Sequence, residues 1–342
     1  MPHCARVDER QFVARVTMLL SWIMTSLPLP ARCTSPAARR WSAGETDRSL
    51  LAAVRAGTLV RLRHGAYAPT VQIAELDERR RHLVLARAAL AQQRGGAALA
   101  GPSAALLRGY DPFGHDLNVV HLARLDHGSS RRQAGVVHHV VQEEVKQRIQ
   151  PYDGVPAVSP ADAVWQVALL STLEGAVVTA DSALHLRPGL AHELQRLAAR
   201  TVHQPRSRVA RLAMRLARSV GESLTRIACF RNGIPSPDLQ HDVHDDSGRL
   251  LGRTDFWWEG FRHLGEFDGK IKYGRLLKEG ETPSDAVVRE KRREDARRGT
   301  RCGMSRFAWF EIQPGSTGRR MAQLVRELEQ SRRLYVPVGS RA

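Results

Sequence analysis

A short stretch of this sequence concentrates side chains that can bind a metal ion and act on a phosphodiester. Asp255, Glu266, Asp268 and Lys270 fall on two consecutive segments with strand patterning. Side chains two apart in a strand share a face, so Glu266 and Asp268 point the same way, and Lys270 joins them if the strand continues through Gly269. Converging carboxylates repel each other unless a proton or a cation lies between them. Since hard divalent cations take carboxylate oxygens, the pattern predicts a site for Mg²⁺ (or Mn²⁺).

The chemistry that uses such a cation is phosphodiester hydrolysis. The metal polarises a phosphoryl oxygen and generates hydroxide near neutral pH. A neighbouring lysine stabilises the developing negative charge or orients the water. Glu222 lies on a predicted helix just before these strands and can reach the same end of the sheet. We therefore interpret Glu222, Asp255, Glu266, Asp268 and Lys270 as one catalytic group.

The same residues are open to a structural interpretation. Asp255, Glu266 and Asp268 can equally form ion pairs with nearby arginines on a solvated sheet face, since structural networks also cluster charge. Glu222 has Arg218 and Arg226 at helical spacing, which is typical of pairs on an exposed helix. From composition alone the two interpretations have similar weight.

The composition indicates the class of partner. The chain has 342 residues, enough for two or three domains, and a formal net charge of +17. Such an excess attracts polyanions, and DNA is the first partner to consider. The four cysteines lack paired spacing, which fits a reducing cytoplasm. The apolar run 18–30 is too short to cross a bilayer, so we expect a cytoplasmic protein without membrane association.

The order of predicted elements divides the chain. Residues 1–42 are poorly patterned, and 43–70 read as a helix followed by a basic hairpin, 59–63 and 66–68. The region 71–203 begins with one long predicted helix, 74–93, and includes strands at 117–122 and 136–141 and a helix at 160–170.

Beyond residue 203 the pattern changes again. From 207 to 335 we predict a helix, three strands (239–244, 250–258 and 263–268), a helix opened by Thr282, a strand at 305–312 and a last helix. In the first helix, Val209, Leu212, Leu216 and Val220 form an apolar stripe at helical spacing.

Basic side chains on two of these elements are candidates for contact with DNA. On the hairpin and the helix before it these are Arg55, Arg61 and Arg63, since a wing lies on the duplex backbone. On the run "REKRREDARR", 289–298, they are Arg292 and Arg293, although a solvated helix face is the default interpretation there. A further set of residues invites a zinc interpretation, but its spacing matches no ligand pattern. These are His115, His121, His127, His138 and His139.

The motifs "GES", "GIPSPDLQ", "TDFWW", "EFDGKIKY" and "REKRREDARR" occur in the order found in a known superfamily. Over residues 207–335 the chain resembles the PD-(D/E)XK nucleases, in the branch related to very-short-patch repair endonucleases. The resemblance implies a restriction-endonuclease-like mixed sheet flanked by helices, with metal ligands at Asp255 and Glu266. In one alignment of the (Glu/Asp)-X-Lys triplet, Glu266 starts the motif and Asp268 stands where lysine is expected. In the other, Asp268 starts it and Lys270 fits.

The segments "LLAAVRAGTLVRLRHGAYAP", "GPSAALLRGYDPFG" and "GVPAVSPADAVWQVA" carry a second resemblance. Between about residues 43 and 200 the chain is similar to AbiEi antitoxins of type IV toxin-antitoxin systems, and the combination with the nuclease-like segment resembles actinobacterial chains. This implies a winged helix-turn-helix that binds DNA, a middle α+β domain, and a toxin or regulatory partner. The expected fold class is thus α/β, multi-domain and α+β overall.

Two functions follow from these expectations. The first is a DNA-binding protein with a Mg²⁺-dependent DNA endonuclease domain. The alternative is a non-catalytic transcriptional regulator or antitoxin whose nuclease-like domain is degenerate. The integrity of the acidic pocket around Asp255 and Glu266 separates them.

Overall fold

The computed structural model describes residues 47–64, 66–93, 96–126, 128–200, 207–269 and 300–337. The chain divides into two compact units, Met1–Ser171 and Thr172–Ala342. The described part is a mixed α/β protein, so the expected fold class is confirmed at that level.

The first unit begins with a helix and a hairpin, as the sequence predicts. Helix α1, Asp47–Arg55, is followed by the antiparallel strands β1, Leu59–Arg63, and β2, Ala66–Pro69. Gly57 ends the helix at a φ of 73°, a left-handed conformation that favours glycine. A small apolar core holds the three elements together. It consists of Leu50, Leu59 and Tyr67.

The prediction of one long helix over 74–93 is wrong at the start of that range. Two helices occupy this region, α2, Thr70–Ala74, and α3, Glu78–Ala91. The carboxylate of Asp77 accepts a hydrogen bond from the backbone N–H of Arg80 at 2.8 Å, so Asp77 is the N-cap of α3. A cap requires non-helical backbone at its own position, which interrupts the apolar periodicity.

A six-stranded mixed sheet forms the body of the first unit. Its order is β5-β6-β4-β3-β8-β7, with β4 parallel to β6, β3 parallel to β8, and the other neighbours antiparallel. Leu99, Leu122 and Val136 lie in its buried core. Three helices complete the unit, and the predicted helix 160–170 is observed with these bounds. The elements are β3, Ala97–Leu99; α4, Gly101–Leu107; β4, Val120–Arg124; β5, Arg131–Gln133; β6, Val136–Val140; α5, Glu143–Gln147; β7, Gln150–Tyr152; β8, Val155–Ala157; and α6, Pro160–Leu170.

The second unit starts earlier than the composition shift at residue 203. Its helices are α7, Leu173–Leu186; α8, Leu190–Ala199; α9, Ser207–Leu212; and α10, Val220–Arg231. A buried ion pair, Asp181 to Arg226 at 2.7 Å, joins α7 to α10. The expected middle segment 71–203 is therefore divided between the two units.

The apolar stripe predicted from Val209 to Val220 does not lie on one helix. The helix ends at Leu212 and a new one begins at Val220. In the interval, the N–H of Met214 donates to Asp181 at 2.7 Å, and the N–H of Arg218 donates to Glu222 at 3.0 Å. Carboxylates thus accept hydrogen bonds that helical carbonyls would otherwise take.

A four-stranded sheet with order β12-β11-β10-β9 forms the centre of the second unit. Strands β9, β10 and β11 are antiparallel neighbours, whereas β12 runs parallel to β11. The predicted bounds of β10 and β11 are observed, while the last predicted strand ends at Ala308 rather than Ile312. These elements are β9, Asp238–His244; β10, Leu250–Trp258; β11, His263–Asp268; β12, Gly303–Ala308; and the final helix α11, Thr317–Tyr335.

The two faces of this sheet have different neighbours. Phe256, Trp258 and Phe307 lie on one face, where Phe256 meets Phe307 edge to face at 5.7 Å. Arg320 of α11 places its guanidinium 4.5 Å from the centre of the Phe307 ring. On the other face, Trp257 packs with Leu264. Asp255 and Glu266 share this second face by strand alternation.

A polar network is buried between β11, β12 and α11. The Nδ1 of His263 lies 2.7 Å from the Ser331 hydroxyl, and its Nε2 lies 2.7 Å from the Ser305 hydroxyl. Ser305 also contacts the carboxylate of Glu327, which accepts a hydrogen bond from Arg320 at 3.2 Å. Burial lowers the pKa of His263 to about 4. The network fixes α11 on the sheet.

Three expectations lie outside the described residues: the helix opened by Thr282, Lys270, and the basic run 289–298 with Arg292 and Arg293. In the part of the chain that the structure describes, no helix combines the length and apolar composition needed to cross a membrane.

Candidate functional site

Asp255 lies in β10, an inner strand of the four-stranded sheet. In β10 it follows Thr254, which pairs with His241 of β9. The pairing of Phe256 with Gly265 in β11, continued by one residue, places Glu266 opposite Asp255. The Oδ2 atom of Asp255 accepts a hydrogen bond from the backbone N–H of Phe267 at 2.9 Å. Asp255 is thus held against β11 beside Glu266.

Glu222 enters the same region from the first turn of α10. Ser219 caps the helix by accepting a hydrogen bond from the N–H of Glu222 at 3.2 Å, and its hydroxyl donates to Oε1 of Glu222 at 2.9 Å. This is a reciprocal capping arrangement, which fixes the carboxylate at the positive end of the helix. Only 5% of Glu222 is exposed.

One amide group joins Glu222 to Asp255. The Nε2 of Gln240 in β9 donates to Oε2 of Glu222 at 3.0 Å and lies 3.4 Å from Oδ1 of Asp255. The register places Gln240 opposite Asp255, between the pairs formed by His241 and Leu239. Two carboxylates from different elements therefore converge on one nitrogen atom.

Glu222 and Asp255 are both acidic, so their negative charges repel each other. Burial raises the pKa of Glu222 above its usual value, and the negative charge of Asp255 raises it further. Hydrogen bonds from the backbone of Arg218 and from Ser219 and Gln240 act in the opposite direction. The environment thus disfavours two negative charges without a compensating group.

Glu266 has a cationic neighbour on the next strand. Arg306 of β12 is its register partner, and its Nη2 lies 3.5 Å from Oε2 of Glu266. The Arg306 side chain is 39% exposed, so water screens the pair. No local pattern points to Arg306, because the pairing joins strands far apart in the chain.

The structure joins two of the five residues assigned to catalysis, since Glu222 and Asp255 share the amide of Gln240. Glu266 lies opposite Asp255 in the register and contacts Arg306, and Asp268 ends β11 as a half-buried residue. Lys270 lies outside the described residues, so neither alignment of the triplet is decided. In the described part of the chain, no group of three or more His, Cys, Asp or Glu side chains is arranged to hold a metal ion.

Two polar residues of this site, Gln240 and Arg306, were absent from the predicted set. The available signal for Gln240 was its position in "SPDLQ", immediately before a strand that runs beside Asp255.

Arg55 of α1 and the hairpin residues Arg61 and Arg63 differ in their exposure to solvent. Arg55 and Arg61 are exposed. Arg63 is half-buried, and its Nε donates to Gln92 of α3 at 3.5 Å. Burial also lowers the pKa of Arg63. Arg55 and Arg61 are therefore more exposed to solvent than Arg63.

Three of the histidines that spacing alone could not connect lie together in the first unit. Nδ1 of His121 and Nε2 of His139 are 2.9 Å apart, and the His115 ring lies 6.4 Å from that of His121. Burial, with a smaller contribution from the charges of His139 and His115, lowers the pKa of His121 to about 3. These rings are neutral at pH 7, and a hydrogen bond joins His121 to His139, whereas Nε2 of His115 lies 2.6 Å from the Ser171 hydroxyl.

Two proteins of Mycobacterium tuberculosis are similar to this chain, the uncharacterized proteins MT2308 (strain CDC 1551 / Oshkosh) and Rv2248 (strain H37Rv). Each is 30% identical over 278 residues, a match that covers 75% of this chain and 95% of the relative. The chain belongs to the family of these mycobacterial proteins. No family model matches it. No solved structure matches it either. The names of these family members state no activity, so its function is inferred from the residues.

Proposed function

We propose that this protein binds DNA and hydrolyses its phosphodiester bonds in the presence of Mg²⁺ or Mn²⁺. The observation that carries the proposal is the convergence of Glu222 and Asp255 on the amide of Gln240, beside the register position of Glu266. Carboxylates brought together from a helix and neighbouring strands are the oxygen ligands that hard cations take.

The order of elements supports the nuclease interpretation. A helix, three antiparallel strands, and then a parallel strand followed by a helix is the order that the resemblance to PD-(D/E)XK nucleases leads one to expect. Glu222 on the helix, Asp255 on the second strand and Glu266 on the third occupy the positions that the resemblance assigns to acidic residues.

The choice of DNA as partner rests on charge. The net charge of +17 attracts polyanions, and Arg55 and Arg61 are exposed on the first helix and hairpin. The resemblance to AbiEi antitoxins adds a toxin or regulatory partner to the proposal.

Glu222, Asp255 and Glu266 fit a divalent cation by their chemistry, since all three are carboxylates. Asp255 and Glu266 would hold the ion, and the bound ion supplies polarisation of the phosphoryl oxygen. Glu222, whose pKa is raised by burial, would orient the metal or the attacking water. Asp268 or Lys270 completes the site near the phosphate.

A second candidate is a DNA-binding regulator without nuclease activity. It is favoured by the contacts of the acidic residues, because Asp255 accepts the N–H of Phe267 and Glu266 pairs with Arg306. A cation must compete with both contacts. It is also favoured by Asp268, which stands at the lysine position when the triplet starts at Glu266.

The test is cleavage of supercoiled plasmid DNA by the full-length protein with Mg²⁺ or Mn²⁺, together with DNA binding measured without metal. We expect Asp255→Asn and Glu266→Gln to lower the cleavage rate by about 100-fold or more and to leave DNA affinity unchanged. Asp242→Asn is the control, since Asp242 is an acidic residue of the same sheet that pairs with Arg253 at the surface. If the wild-type protein cuts neither DNA nor RNA with either metal, the enzyme proposal is wrong and the regulator remains.

A further inference from the structure

Gln240 has an unusual backbone for a residue within a strand. Its φ is 57°, in the left-handed region that side-chain-bearing residues rarely adopt. Residues on both sides of it keep ladder pairing with β10, Leu239 with Phe256 and His241 with Thr254. The left-handed residue is therefore enclosed by regular strand on both sides, where surrounding structure must hold it.

The left-handed conformation of Gln240 changes which side chains of β9 lie on the sheet face that carries Asp255 and Glu266. Successive strand residues normally point to opposite faces. Here the amide of Gln240 contacts Asp255, and the ring of the next residue, His241, stacks on Trp257 with ring centres 4.8 Å apart. Asp255 and Trp257 share one face of β10, so two consecutive residues of β9 point to the same side.

The amide of Gln240 offers hydrogen-bond donors to the carboxylates of Glu222 and Asp255. A glutamine Nε2 carries two hydrogens, and this one faces Oε2 of Glu222 at 3.0 Å and Oδ1 of Asp255 at 3.4 Å. The nearest cationic side chain on α10, Arg226, is paired with Asp181 instead. Asp255 is the charged neighbour that acts on Glu222.

We infer that Gln240 is a positioning residue of the acidic site: its amide holds the carboxylates of Glu222 and Asp255 together, and its left-handed backbone places that amide between them. The inference rests on the proposed function for the identity of the bound cation. The convergence of the carboxylates does not depend on catalysis.

Two substitutions separate the backbone from the amide. Gln240→Gly keeps access to a positive φ and removes the amide. Gln240→Leu removes both hydrogen-bond donors at similar size. Gln323→Leu is the matched control, since the exposed Gln323 of α11 makes a similar Gln–Glu hydrogen bond, to Glu327 at 2.7 Å.

The first measurement needs no enzyme activity. In NMR spectra of the full-length protein, the side-chain amide resonance of Gln240, assigned by its loss in Gln240→Leu, should shift in Glu222→Gln and in Asp255→Asn and stay in place in Gln323→Leu. The second is Mn²⁺ affinity, which should fall about tenfold in Gln240→Gly and Gln240→Leu, as for loss of a group that orients metal ligands. Gln240→Gly should lose affinity without losing thermal stability, a result that a merely structural role would not give.

Distinct outcomes overturn the inference and the proposed function. An unmoved Gln240 amide resonance in both acidic variants, or unchanged Mn²⁺ affinity in Gln240→Leu, would overturn the positioning role even if the wild type cuts DNA. A wild type that neither binds Mn²⁺ nor cuts DNA removes the proposed function, and the Gln240 amide resonance then decides the role of Gln240.

Discussion

Gly221 lies so close to the ring of Phe267 that a Cβ at position 221 would come within 2.0 Å of the Cε1 atom. Gly221 precedes Glu222 in α10, and Phe267 follows Glu266 in β11. The contact therefore sets the spacing between the helix and the strand that carry two of the acidic residues.

The Gly221→Ala variant should be less stable than wild type by about 1–3 kcal/mol, the usual effect of overpacking a buried contact. Gly318→Ala is the control, because no atom lies within 4 Å of a Cβ built there and the residue is in helix α11. It should be stabilising by about 0.4–1 kcal/mol. Urea denaturation of both variants measures the difference, and equal stabilities would show that the α10–β11 contact tolerates a methyl group.

Replacement of Arg306 by glutamine should strengthen cation binding. The guanidinium lies 3.5 Å from Glu266 and is part-exposed, and such pairs contribute about 0.2–1 kcal/mol. Its loss removes a cation that competes for Glu266, so Mn²⁺ affinity should rise by about 2–5-fold. Arg253→Gln removes a surface pair with Asp242 and should leave the affinity unchanged. Isothermal titration with Mn²⁺ measures both, and weaker binding by the Arg306 variant would assign Arg306 to support of the site.

The hairpin arginines should separate into a binding residue and a structural one. Arg61→Gln should weaken binding to duplex DNA uniformly across sequences and reduce the slope of log affinity against log salt by about 1. Arg63→Gln should mainly reduce thermal stability, since Arg63 is half-buried against Gln92. Fluorescence anisotropy over a salt series tests this. An unchanged slope in Arg61→Gln would remove the hairpin from the DNA interface.

Acid should destabilise the first unit through its histidines. The folded pKa of His121, about 3, lies below the unfolded value of about 6.5. The neutral His121 ring therefore contributes to the free energy of unfolding above pH 6.5. That contribution is lost as the pH falls toward 3, with about 2 kcal/mol of it lost between pH 7 and pH 5. His121→Gln should remove that part of the pH dependence, whereas the exposed His192→Gln should not. Urea denaturation at pH 7, 6 and 5 provides the comparison, and identical slopes for all three proteins would contradict the assignment.

Local patterns were sufficient for many elements of the fold. Strands 250–258 and 263–268 were predicted with their observed bounds, because apolar alternation and turn residues mark both ends. Helix 160–170 was likewise predicted, and the structure shows Ser159 as its cap.

Two of the failures come from contact between residues distant in sequence. Asp181 takes the N–H of Met214 and interrupts a regular apolar stripe that looked like one helix. Arg306 meets Glu266 only because β12 pairs with β11. The left-handed conformation of Gln240 has no signature in composition, since glycine would be the expected residue there.

Ser305 has one hydroxyl hydrogen and two neighbours that can accept it, Nε2 of His263 and the carboxylate of Glu327. Ser305 donates to the carboxylate of Glu327, and Ser331 donates to its backbone carbonyl. With both hydroxyls directed at Glu327, both ring nitrogens of His263 must act as donors, which only the charged ring can do. Because the pKa of His263 is lowered to about 4, the ring is neutral at pH 7, and one of the two hydroxyls must turn to donate to it. Protonation of His263 therefore reorients a serine hydroxyl beneath the sheet.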